Sequence, residues 1–251
     1  MSSGPVGSDR PTPLPGDLNV RWIHGSPSPR HPTDPPIQVH GYADHTVILR
    51  ESKDVSSEAP FLYLFFGDER AVLLDTGATA DPARFPLRET VDRLIRDWVG
   101  LHPREDYRLV VAHTHPHGDH VAGDAQFSLR PRTTIVGKDL DAVRGFFGLR
   151  GGPDEIGSID LGGRILEVFG IPGHHAASIA VYDERTGLLV TGDTVYPGRL
   201  YVQDMPAFLT SLDRMVRFAE TRPVTRLMGC HVEMSDIAGV DYPLGARYQP
   251  R

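Results

Sequence analysis

Four short apolar runs in this chain each lead into histidine or aspartate, and this repeated arrangement constrains the fold most. The first run, 108–112, leads into the motif Thr114-His115-Pro116-His117-Gly118-Asp119-His120. The other runs, 165–171, 187–190 and 226–230, lead into His174-His175, Asp193 and His231. Each run has the length and composition of a buried strand. We therefore expect several strand ends to converge on one edge, a common place for chemistry.

The motif from His115 to His120 contains three histidines and one aspartate within six residues, at the spacing His-x-His-x-Asp-His. Imidazole and carboxylate ligands suit a borderline-soft divalent cation such as zinc. A histidine-rich surface loop is the alternative, but an accidental cluster would need no distant partners, and this one has several. The sequence therefore predicts a divalent metal site.

The remaining periodicity predicts further strands and three helices. Runs 45–49, 61–66 and 71–74 are typical of buried strands, with a hairpin turn at 67–70. Apolar residues recur at helical spacing over 87–98 and again over 208–219, and a shorter helix is expected over 139–147. The pattern alone indicates an α/β or α+β fold.

Composition limits the domain organisation and the possible partners. We expect a proline-rich N-terminal tail over 1–36 and one catalytic domain over 37–251. The net charge of −7 argues against a nucleic-acid partner, because binding to a phosphate backbone requires excess positive charge. With one cysteine, no apolar run near the ~20 residues of a membrane span and no signal-peptide core, the chain is expected to be cytoplasmic. Its partner would be a small-molecule substrate, and monomer and homodimer both remain open.

From about Val39 to Tyr248 the motifs and their order resemble the metallo-β-lactamase-fold metallohydrolase superfamily, in a bacterial-type branch. The resemblance implies an α+β fold, a four-layer αββα sandwich of two mixed β-sheets flanked by helices. It also implies a site for two divalent ions, with zinc expected and iron or manganese as alternatives. The first ion would be held by His115, His117 and His174, the second by Asp119, His120 and His231, with Asp193 bridging both.

The function implied by the resemblance is hydrolysis of a small ester, lactone, thioester or amide by a metal-bridging hydroxide. Asp119 would accept or donate the proton. Tyr196 matches a tyrosine that, in lactone-hydrolysing members, hydrogen-bonds the substrate carbonyl, although it could equally serve only for packing. Alternatives are a phosphoester hydrolase, a mono-iron persulfide-dioxygenase-like oxygenase and a non-catalytic binding module.

The sequence fits glutathione-thioester hydrolysis less well. Glyoxalase-like members follow the histidine cluster with two glycines, whereas this chain continues Val121-Ala122, and it ends about twenty residues after His231. The residues beside the ligands are ambiguous. Asp75 could orient a ligand histidine or be a turn residue. Cys230 is expected in the core, and His113 is expected to point away from the site. The roles of four further residues stay open: His175, Arg199, Tyr201 and Glu233.

Overall fold

The computed structural model describes residues 12–28, 30–152 and 154–250, and within them eleven strands form two sheets. The first sheet has the order β1-β2-β3-β4-β5-β6. Its first four strands are antiparallel neighbours, whereas β4, β5 and β6 are parallel. The bounds are Ile37–Ala43 (β1), Thr46–Glu51 (β2), Phe61–Phe66 (β3), Arg70–Leu74 (β4), Arg108–Ala112 (β5) and Thr133–Ile135 (β6).

The second sheet has the order β11-β10-β9-β8-β7. Its strands are antiparallel neighbours except for β10 and β11, which are parallel. The bounds are Gly157–Asp160 (β7), Ile165–Gly170 (β8), Ile179–Asp183 (β9), Leu188–Gly192 (β10) and Arg226–Gly229 (β11).

Helices cover the outer face of each sheet. Helix α1 (Leu87–Leu101) packs on the first sheet through residues spaced four apart, Leu87, Val91 and Ile95. Helix α4 (Met205–Thr221) packs on the second sheet through Met215 and Phe218. Two shorter helices are α2 (Gly118–Val121) and α3 (Leu140–Phe147), and a 3-10 helix spans Ala122–Gln126. The largest cluster of buried apolar residues lies between the two sheets. With the helices on the outer faces, this confirms the expected αββα sandwich.

A buried ion pair joins the two sheets away from their ligand-bearing edge. The Arg164 guanidinium lies 2.8 Å from the Asp183 carboxylate in the second sheet. The same guanidinium donates to the Phe66 carbonyl and the Thr46 hydroxyl in the first sheet, and to the His45 carbonyl in the turn between β1 and β2. Both charged side chains are fully buried, so each depends on the other for compensation.

One parallel pair in each sheet brings the predicted ligands together. In the first sheet Leu74 of β4 is in register with Ala112 of β5, so Asp75 lies beside the start of the histidine motif. In the second sheet Gly192 of β10 is in register with Gly229 of β11, which places Asp193 beside 230–231. The carboxyl ends of neighbouring parallel strands lie at the same edge of their sheet. In this fold the ligand-bearing edges of the two sheets lie next to each other.

The segment before β1 has no helix or strand in its described parts, 12–28 and 30–36. It is nevertheless anchored, because the Trp22 ring meets the Phe61 ring edge-on at a centroid distance of 4.9 Å. Residues 1–11 of the predicted tail lie outside the described residues. A boundary between tail and domain near residue 36 stays a prediction.

Candidate metal centre

Three imidazole nitrogens converge in the first predicted ligand group. His115 Nε2 lies 3.1 Å from His117 Nδ1 and 3.1 Å from His174 Nε2, and the last two atoms are 2.9 Å apart. Zinc–nitrogen bonds of about 2.0–2.1 Å place tetrahedral ligand atoms about 3.3 Å apart. The three nitrogens therefore form one face of a site of the right size for a divalent transition metal.

A second group forms beside the first from Asp119, His120 and His231. The Nε2 atoms of His120 and His231 are 3.3 Å apart. Asp119 Oδ2 lies 3.4 Å from His120 Nε2 and 3.2 Å from His231 Nε2. Two neutral nitrogens and a carboxylate oxygen suit the same class of cation as the first group.

Asp193 lies between the two groups. Its Oδ2 atom is 3.4 Å from the Nε2 atoms of His120 and His231, and 3.8 Å from those of His115 and His174. The other oxygen, Oδ1, is buried and has no hydrogen-bond partner among the described residues. A buried carboxylate oxygen without a partner is costly unless a ligand compensates it, so the position fits a bridging role toward two cations.

The outer nitrogens of three histidines are held by oxygen acceptors. His120 Nδ1 donates to Asp75 Oδ2 at 2.9 Å, His174 Nδ1 to the Tyr201 carbonyl at 2.6 Å, and His231 Nδ1 to the Glu58 carbonyl at 3.1 Å. Because the proton is held on Nδ1, the lone pair of Nε2 points toward the other ligand atoms. The donor set and its orientation thus fit a bound metal.

The electrostatics favour the neutral forms of His115 and His117 and the ionised forms of the acids. Burial and the neighbouring histidines lower the pKa of His115 to about 2, and the pKa of His117 is lowered for the same reasons. Burial alone would raise the pKa values of Asp119 and Asp193, but hydrogen bonds and charge from His120 and His231 hold both below the usual range. The neighbouring carboxylates outweigh burial and raise the pKa of His120 above its usual value and that of His231 to about 10. Because neutral imidazole and ionised carboxylate are the metal-binding forms, a cation in the second group must displace a proton from these two histidines.

Asp75 has the orienting position that the sequence suggested. Its Oδ1 accepts from the Thr114 backbone N–H at 2.7 Å, and its Oδ2 from the Thr114 hydroxyl at 2.8 Å as well as from His120. Cys230 is fully buried and its Sγ lies 3.3 Å from Asp75 Oδ2, and burial raises the pKa of this thiol. His113 points away from the ligand groups, toward Asp124 Oδ1 at 2.8 Å.

Tyr196 lies at the site, with its ring centroid 5.7 Å from that of His231. Its hydroxyl donates to the Arg199 carbonyl and lies 3.4 Å from Glu233 Oε2, which also accepts from the Arg199 N–H at 2.8 Å. The phenol proton is therefore directed along its own loop. An oxyanion-stabilising role for Tyr196 stays a prediction, and it would require the hydroxyl to exchange this partner for substrate.

The edge of the site also includes Tyr201, Arg199 and His175. The Tyr201 side chain is 49% exposed, and it is its backbone carbonyl that orients His174. The Arg199 guanidinium donates to the Tyr242 carbonyl at 2.8 Å, away from the ligand groups. The His175 ring meets the His117 ring edge-on at 5.3 Å. Orienting carbonyls such as those of Tyr201 and Glu58 have no side-chain signature, so the sequence could not reveal them.

Comparison with known proteins assigns the family. The sequence model of the Metallo-beta-lactamase superfamily matches residues 59–219, and the chain belongs to this superfamily. Within the described parts of the chain, no helix combines the length and apolar character needed to cross a bilayer.

Several curated relatives are hydroxyacylglutathione hydrolases by name. The protein of Synechococcus sp. (strain JA-2-3B'a(2-13)) is 29% identical over 172 residues, covering 65% of this chain and 61% of the relative. That of Rhizobium meliloti (strain 1021) is 30% identical over 166 residues, covering 62% and 60%. The chain thus spans about three fifths of the length of these relatives.

Solved structures support the fold. A metallo-beta-lactamase from Pontibacter korlensis aligns with a TM-score of 0.56 at 21% identity, covering 78% of this chain and 91% of that one. A metallo-beta-lactamase from Erythrobacter litoralis aligns with a TM-score of 0.54 at 18% identity, covering 78% and 89%. At such identities the likeness is one of fold.

Proposed function

We propose that this chain is a hydrolase that holds two divalent metal ions, with zinc as the expected metal. The first ion would be held by His115, His117 and His174, and the second by Asp119, His120 and His231. The observation that carries the proposal is Asp193, whose Oδ2 lies within 3.8 Å of nitrogens from both groups. A metal site that only stabilises the fold needs a single ligand group. Two adjacent ligand groups that share a carboxylate are typical of catalytic two-metal sites.

The ions, when bound, supply Lewis acidity and a water whose proton is lost near neutral pH. The protein's own groups position this chemistry. Asp119 stays ionised and, as a predicted proton acceptor, would take a proton from the attacking water and return it to the leaving group. Asp75, Tyr201 and Glu58 fix the imidazoles so that the ligand geometry exists before substrate arrives.

We propose a carboxylic thioester or ester as the substrate class. The names of the curated relatives favour the thioester among the bonds that the sequence leaves open, but glutathione itself is not carried over, because the chain spans about three fifths of their length. The second ligand group has no use in a mono-iron oxygenase, and this favours the hydrolase. The cytoplasm is the proposed compartment.

Metal quantification and a substrate panel test this function together. Purified protein should contain two divalent ions per chain, whereas His231→Ala should lose the second ion and most activity. The matched control is His113→Ala, a neighbouring buried histidine that belongs to neither group, which should keep both ions. The panel contains a thioester, an ester, a lactone, a phosphodiester and a β-lactam. One iron per chain with oxygen uptake would contradict the hydrolase.

A further inference from the structure

Loop 199–204, which precedes α4, lies directly against the first ligand group. Its Tyr201 carbonyl accepts from His174 Nδ1 at 2.6 Å. The side-chain amide of Gln203 lies beside the His117 ring, with the Nε2 atoms of the two residues 3.5 Å apart. The loop therefore reaches two of the three histidines that would hold the first ion.

His117 differs from the other ligand histidines because its Nδ1, and not its Nε2, faces the other ligand atoms. When Nδ1 binds an ion, the ring proton must be on Nε2, where it needs an acceptor. Among the described residues, this nitrogen has its hydrogen-bonding contact with Gln203. An amide side chain carries an oxygen as well as a nitrogen, so a half-turn about its last torsion lets Gln203 accept the proton. Gln203 therefore has the position of an orienting partner for His117.

The two ends of the loop are held by different parts of the chain. At the C-terminal end, the N–H groups of Gln203 and Asp204 donate to the Gly173 carbonyl at 2.8 and 3.0 Å. At the N-terminal end, the Arg199 N–H donates to the Glu233 carboxylate at 2.8 Å. The part of the loop that contacts the histidines lies between these two anchors.

Glu233 is held in place by its backbone and by close packing. Its N–H donates to the Pro197 carbonyl at 2.8 Å, and its carbonyl accepts from the Tyr242 N–H at 3.0 Å. Its side chain lies against Gly198, where a Cβ would come within 2.8 Å of Glu233 Oε2. The Arg199 guanidinium donates to the Tyr242 carbonyl at 2.8 Å, so the same two segments are joined a second time. The carboxylate therefore holds the loop from a fixed position.

We propose that Glu233 is a positioning residue for the first ion, and that it acts through both contacts of loop 199–204 with the first ligand group. By holding the Arg199 N–H it keeps the orienting groups of the loop against the imidazoles. Glu233 lies two residues after His231, a ligand of the second group, and yet it controls the affinity of the other ion. The proposal rests on the two-ion site of the proposed function.

Metal affinities test this by competition with a chromophoric chelator, in two backgrounds that each hold one ion. His231→Ala reports the first ion, and His115→Ala reports the second. Glu233→Met keeps the length of the side chain but has no strong acceptor. It should weaken the first ion about tenfold, the lower end of the range for a lost orienting partner, and leave the second ion unchanged. Glu233→Gln keeps an oxygen for the Arg199 N–H and should restore the wild-type affinity.

The matched control is Asp241→Asn, which removes another acid near the same arginine. Asp241 lies 4.0 Å from the Arg199 guanidinium and its side chain is 44% exposed, so the pair contributes little and neither affinity should change. An equal loss for both ions in Glu233→Met would show a purely structural role and would overturn the proposal. An unchanged first ion, or a loss confined to the second, would overturn it as well.

Gln203 gives a second test that leaves the C-terminal segment intact. The side chain is exposed, so Gln203→Met should keep the Tm of the metal-free protein while it weakens the first ion about tenfold. Gln203→Glu retains an acceptor and should bind the first ion as the wild type does. Wild-type affinity in Gln203→Met would refute the contact between the loop and His117, and with it the proposal.

The tautomer of His174 is a readout that needs no metal. In metal-free protein, ¹⁵N NMR at a pH where the ring is neutral should show the proton on Nδ1, where the Tyr201 carbonyl accepts it. Glu233→Met should give a mixture of the two tautomers, because the carbonyl is no longer held. A single Nδ1–H tautomer in both proteins would contradict the proposal.

The two proposals fail in different ways. If the first ion depends on Glu233 but no substrate of the panel is hydrolysed, the hydrolase function is overturned and the positioning role stands. If a panel substrate is hydrolysed and Glu233→Met binds both ions as the wild type does, the hydrolase function stands and the positioning role is overturned.

Discussion

Asp75→Asn tests whether an oriented imidazole, rather than the ligand set alone, sets the affinity for the second ion. Asp75 has a backbone φ of 68°, a region that asparagine tolerates as aspartate does, so the substitution adds no backbone strain. The side-chain oxygen of asparagine can keep the 2.7 Å hydrogen bond from the Thr114 N–H. The amide nitrogen then replaces Oδ2 and faces His120 Nδ1 with hydrogens of its own.

The asparagine amide N–H and the His120 Nδ1–H are both donors, so the tautomer of His120 must change. His120 must transfer its proton from Nδ1 to Nε2, the atom that lies 3.3 Å from His231 Nε2 in the second group. An Nε2 that carries a proton cannot bind a metal. Loss of such an orienting partner typically weakens metal binding about 10- to 100-fold. This corresponds to about 1.4–2.7 kcal/mol for the second ion.

The assay is competition between metal-free protein and a chromophoric chelator, which resolves the two ions by their affinities. The affinity of the second ion should fall in Asp75→Asn, while the first ion, on His115, His117 and His174, should bind as in the wild type. Asp124→Asn is the control, because Asp124 forms a similar 2.8 Å contact with His113, which belongs to neither group. Wild-type affinity in Asp75→Asn, or an equal loss in Asp124→Asn, would refute the reasoning.

Three further results are expected. Removal of both ions should lower the Tm by about 10–20 °C in a chelator-dependent thermal scan, because each ion, at a free concentration 100 times its Kd, adds about 2.7 kcal/mol. Gly173→Ala should yield less folded protein and less bound metal by elemental analysis, since a Cβ there would lie 2.7 Å from the Phe208 backbone nitrogen and displace His174. Asp183→Asn should cost about 3–5 kcal/mol in urea unfolding at pH 7, because it leaves the buried Arg164 charge unpaired.

The Asp183 effect has a defined pH dependence. Burial alone would raise the pKa of Asp183, but Arg164 outweighs it and holds the pKa below its usual value. A carboxyl with a lowered folded pKa adds stability above its unfolded pKa of about 3.9, and this stability is lost as the pH falls through the folded value. Wild type and Asp183→Asn should therefore converge in stability below about pH 4. A constant gap between pH 7 and pH 3 would contradict this.

The sequence predicted the strands whose side chains form a continuous apolar run. Strands β5, β8 and β10 are largely buried and form near-continuous apolar runs, so they were found. Strand β1 was missed because most of it is partly exposed at the sheet edge, and β6 because it has three residues. Strand β9 was missed although it is fully buried.

For the site, the sequence predicted the candidate ligands but not the backbone groups that orient them. Histidine and aspartate ligands are visible in a sequence, and the structure brings all seven predicted positions together. Whether they bind metal stays a prediction. The proton acceptors for His174 and His231 are the backbone carbonyls of Tyr201 and Glu58, which come from distant parts of the chain. These features arise only from tertiary packing.

During synthesis the first ligand group is complete before the second, because β11, which pairs with β10, and His231 come late in the chain. His231 follows the last strand, and its partner His120 lies 111 residues earlier in the chain. Contacts of such large sequence separation form late in folding, because a long loop must close first. A nascent chain that has emerged only as far as α4 would already contain His115, His117 and His174, but not the whole second group. Occupancy of the second site would therefore report that the final strand has docked.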